Sequence, residues 1–360
     1  MFHPVRVARI VEETADAKSI VLDVPPALAA DFAYRAGQFV TVEVELGGER
    51  LRRCYSLASS PDCDGEHKVT VKRTRGGRVS NWLNDALRVG DVLSVLRPEG
   101  RFVLDGGTGP LVLFAGGSGI TPVVSLLKTA LGTTQRRVTL LYANRDAGSV
   151  IFAEELARLE RAHPGRLRVV HRLDDAHGLL DEDAIRALVA EQRDASCYLC
   201  GPAPFMAVVE DALSVAGVPE DRVRVERFVF KPASLREPGS DNPLASSRGM
   251  FTPHANGPAP PAPDGAEIPD FVDVVLQGQQ HRVPYVAGKT LLQTARDAGL
   301  DAPYSCEEGF CGCCASNLLE GRVVMAADDA LSSEEKRRGM ILACQSRPVT
   351  RLCVFRFADG

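Results

Sequence analysis

Residues 231–269 read KPASLREPGSDNPLASSRGMFTPHANGPAPPAPDGAEIP, a run rich in Pro, Ala, Gly and Ser with no apolar periodicity. Such a segment cannot bury enough apolar surface to offset the entropy of ordering its backbone, so it reads as a flexible linker. Treated as a coil, its ends average roughly 30–35 Å apart with wide variance. One continuous core is thereby excluded, and residues 1–230 and 270–360 are expected to fold separately.

The N-terminal part has two textures. Over residues 1–105, short β-prone runs (Val5–Val11, Ser19–Val24, Gln38–Val44, Cys54–Leu57, Lys68–Lys72, Val92–Leu96) alternate with Gly and Pro turns, and one helix is expected at Val79–Leu87. That pattern predicts a small antiparallel β-barrel. Over residues 106–230 the apolar runs LVLFAG, RRVTLLYAN, LRVVHRL, SCYLCG and VRVERFVF alternate with segments of 3.6-residue periodicity such as TPVVSLLKTAL and FMAVVEDALSVAG. Buried strands alternating with helices predict a doubly wound α/β parallel sheet. Residues 270–360 combine strand-like FVDVVL and HRVPYV with helix-like TLLQTARDAG, an α+β unit.

The net charge of −5 argues against nucleic acid or an anionic membrane as the main partner. No run approaches the roughly 20 apolar residues of a membrane span, and MFHPVRVARIVEE has no apolar signal core. A cytoplasmic, reducing location is expected, where ten cysteines serve as ligands, redox groups or core thiols rather than disulfides.

Four of those cysteines carry a pattern. Cys306, Cys311 and Cys314 are spaced C-x4-C-x2-C, and Cys344 follows after 29 intervening residues. That spacing suits a [2Fe–2S] cluster held by three thiolates of one tight loop and a fourth from a distant element. Gly309 and Gly312 let the loop curl without Cβ clashes. A structural zinc site is the alternative, although zinc knuckles pair their ligands in two C-x2–4-C arms and Cys344 stands alone in LACQ. Cys54, Cys63, Cys197, Cys313 and Cys353 read as packing or incidental residues.

Three further motifs suit nucleotides. GGSGITP (Gly116–Pro122) turns an apolar strand into a helix, where glycines admit a pyrophosphate to the helix N-terminus. An ordinary tight turn is the plain alternative. GGRVS (76–80) is a second Gly turn opening a helix. Arg53, Tyr55 and Ser56 place a cation, an aromatic ring and a hydroxyl on one β run, with Arg53 and Tyr55 on the same face. This suits a flat, phosphorylated ligand, or else routine cross-strand pairing. Cys200-Gly201-Pro202 ends a parallel strand, on the edge where open α/β sheets bind ligands; alone, Cys200 could equally be a small buried hydrophobe. Two phosphate cradles in one chain imply two nucleotides.

Arg53-x-Tyr55-Ser56, GGRVS, GGSGITP and Cys200-Gly201-Pro202 occur in the order found in the ferredoxin–NADP reductase superfamily. Followed by a plant-type ferredoxin, they resemble oxygenase reductases over essentially the whole chain apart from the linker. YANRDAGSVIF and LILACQSRP resemble the reductase components of 3-ketosteroid 9α-hydroxylases, with phenylacetyl-CoA epoxidase reductases close by. The resemblance implies an FAD-binding barrel (1–105), an NAD(P)-binding α/β domain (106–230) and a β-grasp ferredoxin domain (270–360). It implies that Tyr55 packs on the flavin ring with Ser56 at its reactive edge and the Val71 backbone at its polar rim. Arg53 and Gly77, Arg78, Val79 and Ser80 would hold the FAD pyrophosphate. Gly117, Ser118, Gly119 and Thr121 would hold the pyridine nucleotide, with Cys200, Gly201 and Pro202 beside the nicotinamide and Phe228 near the flavin.

Cys313 stands where such ferredoxins usually have Ser, Thr or Ala, so an extra thiol adjoins the cluster. For the adenosine 2′ position the chain offers both an acid and a base, Asp146 and Arg145, with Ser149 nearby; the resemblance favours NADH over NADPH. The implied route runs from NAD(P)H through FAD and [2Fe–2S] to a separate terminal oxygenase, in a protein expected to be monomeric. From Asp270 onward ten Lys and Arg face twelve Asp and Glu, weak steering for a diffusing ferredoxin but adequate for a tethered one. A reductase serving a phenylacetyl-CoA epoxidase or aromatic hydroxylase is a second reading. A redox-sensing iron–sulfur protein without turnover is a third.

Overall fold

The computed structural model describes residues 1–228 apart from 191 and 193, and residues 267–357 apart from 308, 310, 329 and 332. The expected linker falls almost wholly outside these residues. The chain forms two compact units, Met1–Phe228 and Val229–Gly360.

The first unit opens with β1 (Phe2–Thr14), β2 (Ala17–Asp23), β3 (Phe39–Leu46), β4 (Glu49–Ser56), β5 (His67–Lys72), α1 (Arg78–Asp85) and β6 (Val92–Glu99). Its strands form an antiparallel sheet in the order β4-β3-β6-β1-β2-β5. A bridge between Leu57 and Val69 joins the two edges and closes the barrel. Alternate residues point inward, among them Val5, Val7, Val40, Val42, Val69, Val71, Leu93 and Val95. β4 starts well before the expected Cys54–Leu57 run. Its first half is charged and gives no apolar alternation, but it pairs in register with β3, and Arg52 Nε donates to Glu43 Oε2 at 2.9 Å.

The chain continues through β7 (Leu111–Gly116), α2 (Ile120–Thr133), β8 (Val138–Asn144), α3 (Ala153–Ala162), β9 (Leu167–Leu173), α4 (Asp174–His177), α5 (Glu182–Ala190), β10 (Ser196–Gly201), α6 (Ala203–Val215) and β11 (Val223–Arg227). Its five strands are parallel, ordered β11-β10-β7-β8-β9. α2 is apolar on almost every side and buried from Ile120 to Leu131, as a helix enclosed on both faces should be. Ala17, Ala36 and Ala58 of the barrel share one core with Ile120, Leu126, Leu127 and Tyr142. Polar groups stitch the same seam: Ser125 Oγ donates to the Ser59 carbonyl at 2.6 Å, and the Ser60 and Thr129 hydroxyls lie 2.6 Å apart. Lys128, 5% exposed, pairs with Asp64 of the barrel at 2.5 Å and Glu155 of α3 at 3.0 Å.

The second unit contains β12 (Phe271–Leu276), β13 (Gln279–Pro284), α7 (Leu291–Asp297), β14 (Ala315–Glu320), β15 (Val323–Met325), α8 (Ser333–Arg337), β16 (Met340–Leu342), β17 (Ser346–Pro348) and β18 (Val354–Phe357). The order β13-β12-β18-β14-β16, with β12 and β18 parallel and a separate β15-β17 pair, makes a β-grasp sheet. Thr290 and Gln293 cap α7 reciprocally. Val272, Val274, Leu291, Leu292, Phe355 and Phe357 form the core.

Candidate functional site

The strand order of the parallel sheet places β7 beside β10, the point where the chain reverses its direction of winding across the sheet. Open α/β sheets bind ligands at such a point, beyond the carboxyl ends of the strands. The two turns singled out from the sequence meet there. A Cβ at Gly119 would lie 2.1 Å from the Cys200 carbonyl oxygen, and one at Gly116 would lie 2.9 Å from Pro202 Cδ. Only glycine permits that approach. Gly117 adopts φ +51, and its carbonyl accepts from Tyr142 Oη at 3.0 Å, while the Ser118 carbonyl accepts from Thr121 Oγ1 at 3.0 Å.

No side chain caps the N-terminus of α2, or that of α1 in the barrel. Thr290 and Asp146, by contrast, both complete capping boxes. At α2 the Ile120 N–H is taken by the carbonyls of the Gly117–Ser118 turn, but neither helix start carries a side-chain cap, and an uncapped helix start behind a glycine turn is where a pyrophosphate can bind. Asn144, next to the glycine turn at the end of β8, keeps both amide atoms buried without a hydrogen-bond partner. The residues present fit a dinucleotide.

Cys200 is fully buried, and burial holds its thiol well above its usual pKa, with Glu226 adding to the effect. Glu226 is its direct neighbour on β11. Burial pushes the Glu226 carboxyl up to about 8, with Arg101 opposing. Sequence patterning does not single out this carboxylate; the signal is its register with Cys200, which only the sheet order supplies. Gly201 and Pro202 lead into α6. Phe228 is half-buried against the core that holds Cys200 and Ala58.

In the barrel, Arg53 and Tyr55 lie opposite Val42 and Val40 of β3. Tyr55 is half-buried; desolvation raises its phenol pKa, and Arg53 opposes the shift. Ser56 is buried. The Val71 carbonyl accepts from Asn84 Nδ2 at 3.1 Å, so that oxygen is already engaged. Gly77 precedes α1, and a Cβ there would lie 2.5 Å from Ser80 Oγ. Ser80 Oγ accepts from the Thr74 N–H at 3.2 Å, and Val79 is buried in the barrel core. Arg78 brings its backbone to the cradle but sends its guanidinium to Glu49 and the Leu46 carbonyl.

At the end of β8, Arg145 is exposed and reaches Asp16 at 3.4 Å. Asp146 Oδ1 accepts the Ser149 N–H at 2.9 Å, and Ser149 Oγ donates to the Asp146 carbonyl at 2.8 Å.

In the second unit Cys306, Cys314 and Cys344 are buried, while Cys311 and Cys313 are partly exposed. Gly309 and Gly312 adopt φ +85 and +70, the left-handed turns the loop needs to curl. Hydrogen bonding between the Cys314 and Cys344 side chains holds the Cys314 thiol above its usual pKa and Cys344 below. Cys311 lies close enough to act on Cys314 electrostatically. Among the described residues no three His, Cys, Asp or Glu side chains are grouped closely enough to hold a single metal ion. Soft sulfur ligands, three of them buried, gathered from a glycine-shaped loop and a distant turn fit an iron–sulfur cluster.

Comparisons with known proteins agree with this geometry. Residues 4–104 match the oxidoreductase FAD-binding domain family, 113–211 the oxidoreductase NAD-binding domain and 274–349 the 2Fe-2S iron-sulfur cluster binding domain. These are the domains of a flavin- and iron–sulfur-dependent oxidoreductase. The ferredoxin reductase component of 3-ketosteroid-9-alpha-monooxygenase from Rhodococcus rhodochrous is 44% identical over 96% of this chain and 93% of its own. A component of the 1,2-phenylacetyl-CoA epoxidase of Escherichia coli K12 is 32% identical over 99% of this chain and 98% of its own. The solved structure of phthalate dioxygenase reductase superposes with a TM-score of 0.58 at 26% identity, covering 99% of this chain and 98% of its own. The chain belongs to the family of oxygenase reductase components built from FAD-binding, NAD-binding and C-terminal 2Fe-2S domains. It takes FAD, a pyridine nucleotide and a [2Fe–2S] cluster, and it delivers electrons to a separate oxygenase. Among the described residues no helix is long and apolar enough to cross a membrane.

Proposed function

We propose that this chain is the monomeric, cytoplasmic reductase of a steroid-ring 9α-hydroxylating system, using NADH. The observation that carries the reading is 44% identity to the Rhodococcus steroid-system reductase along nearly the full length, against 32% to the epoxidase component. FAD, when bound, would convert a two-electron hydride donor into the single electrons an iron–sulfur cluster accepts.

The chain's own residues supply binding and alignment. Tyr55 and Ser56 would line the flavin ring, with the α1 cradle at Gly77–Ser80 and Arg53 holding its pyrophosphate. Gly117–Thr121 would seat the pyridine nucleotide, and the Cys200–Pro202 turn would fix the nicotinamide plane. Cys200, neutral and buried, keeps water from that face. Cys306, Cys311, Cys314 and Cys344 would hold the cluster.

The preference for NADH rests on Asp146. The capping box fixes this carboxylate at the strand end, where it can accept from ribose hydroxyls and oppose a 2′-phosphate. Ser149 is engaged in the same box, so it is not free to assist a phosphate. Arg145 is the basic group next to it in the chain.

Reconstitution tests the pathway. NADH oxidation coupled to product should appear with the oxygenase of a steroid 9α-hydroxylase. Coupling only with a phenylacetyl-CoA epoxidase or an aromatic hydroxylase would overturn the steroid reading. A higher kcat/KM for NADPH than for NADH would overturn the nucleotide assignment.

A further inference from the structure

Gln345 follows the fourth cysteine and folds its side chain back over the ligand loop. Its Nε2 lies 3.0 Å from the Glu307 carbonyl, 3.1 Å from the Cys344 carbonyl and 3.4 Å from Cys344 Sγ. All three neighbours are acceptors here, so the amide must present its nitrogen, not its oxygen, with one of its two N–H groups shared between the carbonyl and the sulfur of Cys344. The fit is prepared from the other side as well. A Cβ at Gly309 would lie 2.8 Å from Gln345 Cγ, so glycine at that position admits the strap.

Glu307 needs to be held. It adopts φ +57, the left-handed region, although it is not glycine. The Gln345 amide fixes its carbonyl, and Arg296 Nη1 fixes its carboxylate at 2.9 Å. Arg296 in turn lies over the Tyr304 ring, 3.8 Å from its centroid. The ligand loop is therefore clamped from inside by Gln345 and from outside by Arg296.

We propose that Gln345 is a positioning residue for the iron–sulfur centre, donating an N–H to the sulfur of Cys344 that raises the cluster's reduction potential. The proposal rests on the reading of Cys344 as a ligand. The physical reason is general: reduction adds negative charge, and a donor on a ligand sulfur stabilises the more negative state. The backbone N–H of Cys344, 3.4 Å from Cys314 Sγ, acts in the same sense on the neighbouring ligand. Of these two donors only Gln345 is a side chain, and so only it can be exchanged without touching a cysteine.

The test uses the full-length holoprotein. Protein carrying 15N only in glutamine side-chain amides is reduced, and pulsed EPR is recorded on the [2Fe–2S] signal. A 15N coupling absent from unlabelled protein is expected. An EPR-active cluster without that coupling overturns the proposal, whereas absence of any [2Fe–2S] signal overturns the ligand reading beneath it. The second arm measures the midpoint potential of Gln345→Leu and Arg296→Met. Gln345→Leu should lower the equilibrium constant for cluster reduction at least threefold, which is about 30 mV at 59 mV per tenfold for one electron. Arg296→Met cuts only the outer clamp and should leave the potential unchanged. Equal potentials in wild type and Gln345→Leu would refute the role. If Gln345→Leu does not retain its cluster, the labelled wild-type protein decides alone.

Discussion

The Cβ that Gly119 lacks would sit 2.1 Å from the carbonyl oxygen of Cys200, residues 81 positions apart on two neighbouring strand ends. Backbone packed on backbone fixes the start of α2 against the end of β10. We predict that Gly119→Ala costs about 1–3 kcal/mol of stability through overpacking. It should also lower kcat/KM for NADH at least tenfold, because the turn proposed to seat the nucleotide and the strand end proposed to face the nicotinamide are pushed apart. Thermal melts and steady-state kinetics check this; wild-type values for both would contradict the contact.

Glu226 makes stability depend on pH. Its carboxyl is raised to about 8 by burial, so between the usual glutamate pKa of roughly 4.3 and about 8 the folded state holds a proton that the unfolded chain has released. Stability from this group is complete at low pH and is lost as pH rises through 8. Glu226→Gln should flatten that part of the Tm-versus-pH curve. Because the residue is only half-buried, solvent reduces the size of the slope, and its sign is the observable. An unchanged slope in the variant would refute the assignment.

Lys128 is a buried cation between two carboxylates. Lys128→Met leaves Asp64 and Glu155 without it, although Lys68 still reaches Glu155 at 3.4 Å. A loss of about 2–3 kcal/mol is expected, less than for a fully buried pair because both carboxylates keep some solvent contact. Denaturant unfolding measures it, and a change below about 0.5 kcal/mol, ordinary for a surface substitution, would show that the pair stitches nothing.

Cys313 and Cys314 are adjacent but differ in burial. Cys314→Ser should abolish the visible absorbance and iron content of the second unit, while Cys313→Ser should retain both. Retention of iron in Cys314→Ser and loss in Cys313→Ser would assign the third ligand to Cys313 instead.

The glycine motifs could be read from the sequence because each answers a local demand: Gly117, Gly309 and Gly312 take positive φ, and Gly116, Gly119 and Gly201 admit a neighbouring chain. The buried strands of the parallel sheet were equally plain, since continuous apolar runs such as LVLFAG are covered on both faces. Other features depend on distant partners. The start of β4 is charged and becomes a strand through its ladder to β3. β15, β16 and β17 are three residues each, too short for alternation to show. Lys128, Glu226 and Gln345 look like ordinary surface residues until the fold brings Asp64, Cys200 and Glu307 to them.

The burial of α2 has a consequence for how such chains can be recombined. Its barrel-facing and sheet-facing sides contribute to one core, so a cut near residue 105 would expose apolar surface on both fragments. The first 228 residues are therefore expected to unfold as one cooperative block, although they carry two family domains. Fusion, loss or replacement of modules is expected to occur on the far side of that block, where a different electron acceptor could be joined without reworking the flavin–nucleotide pair.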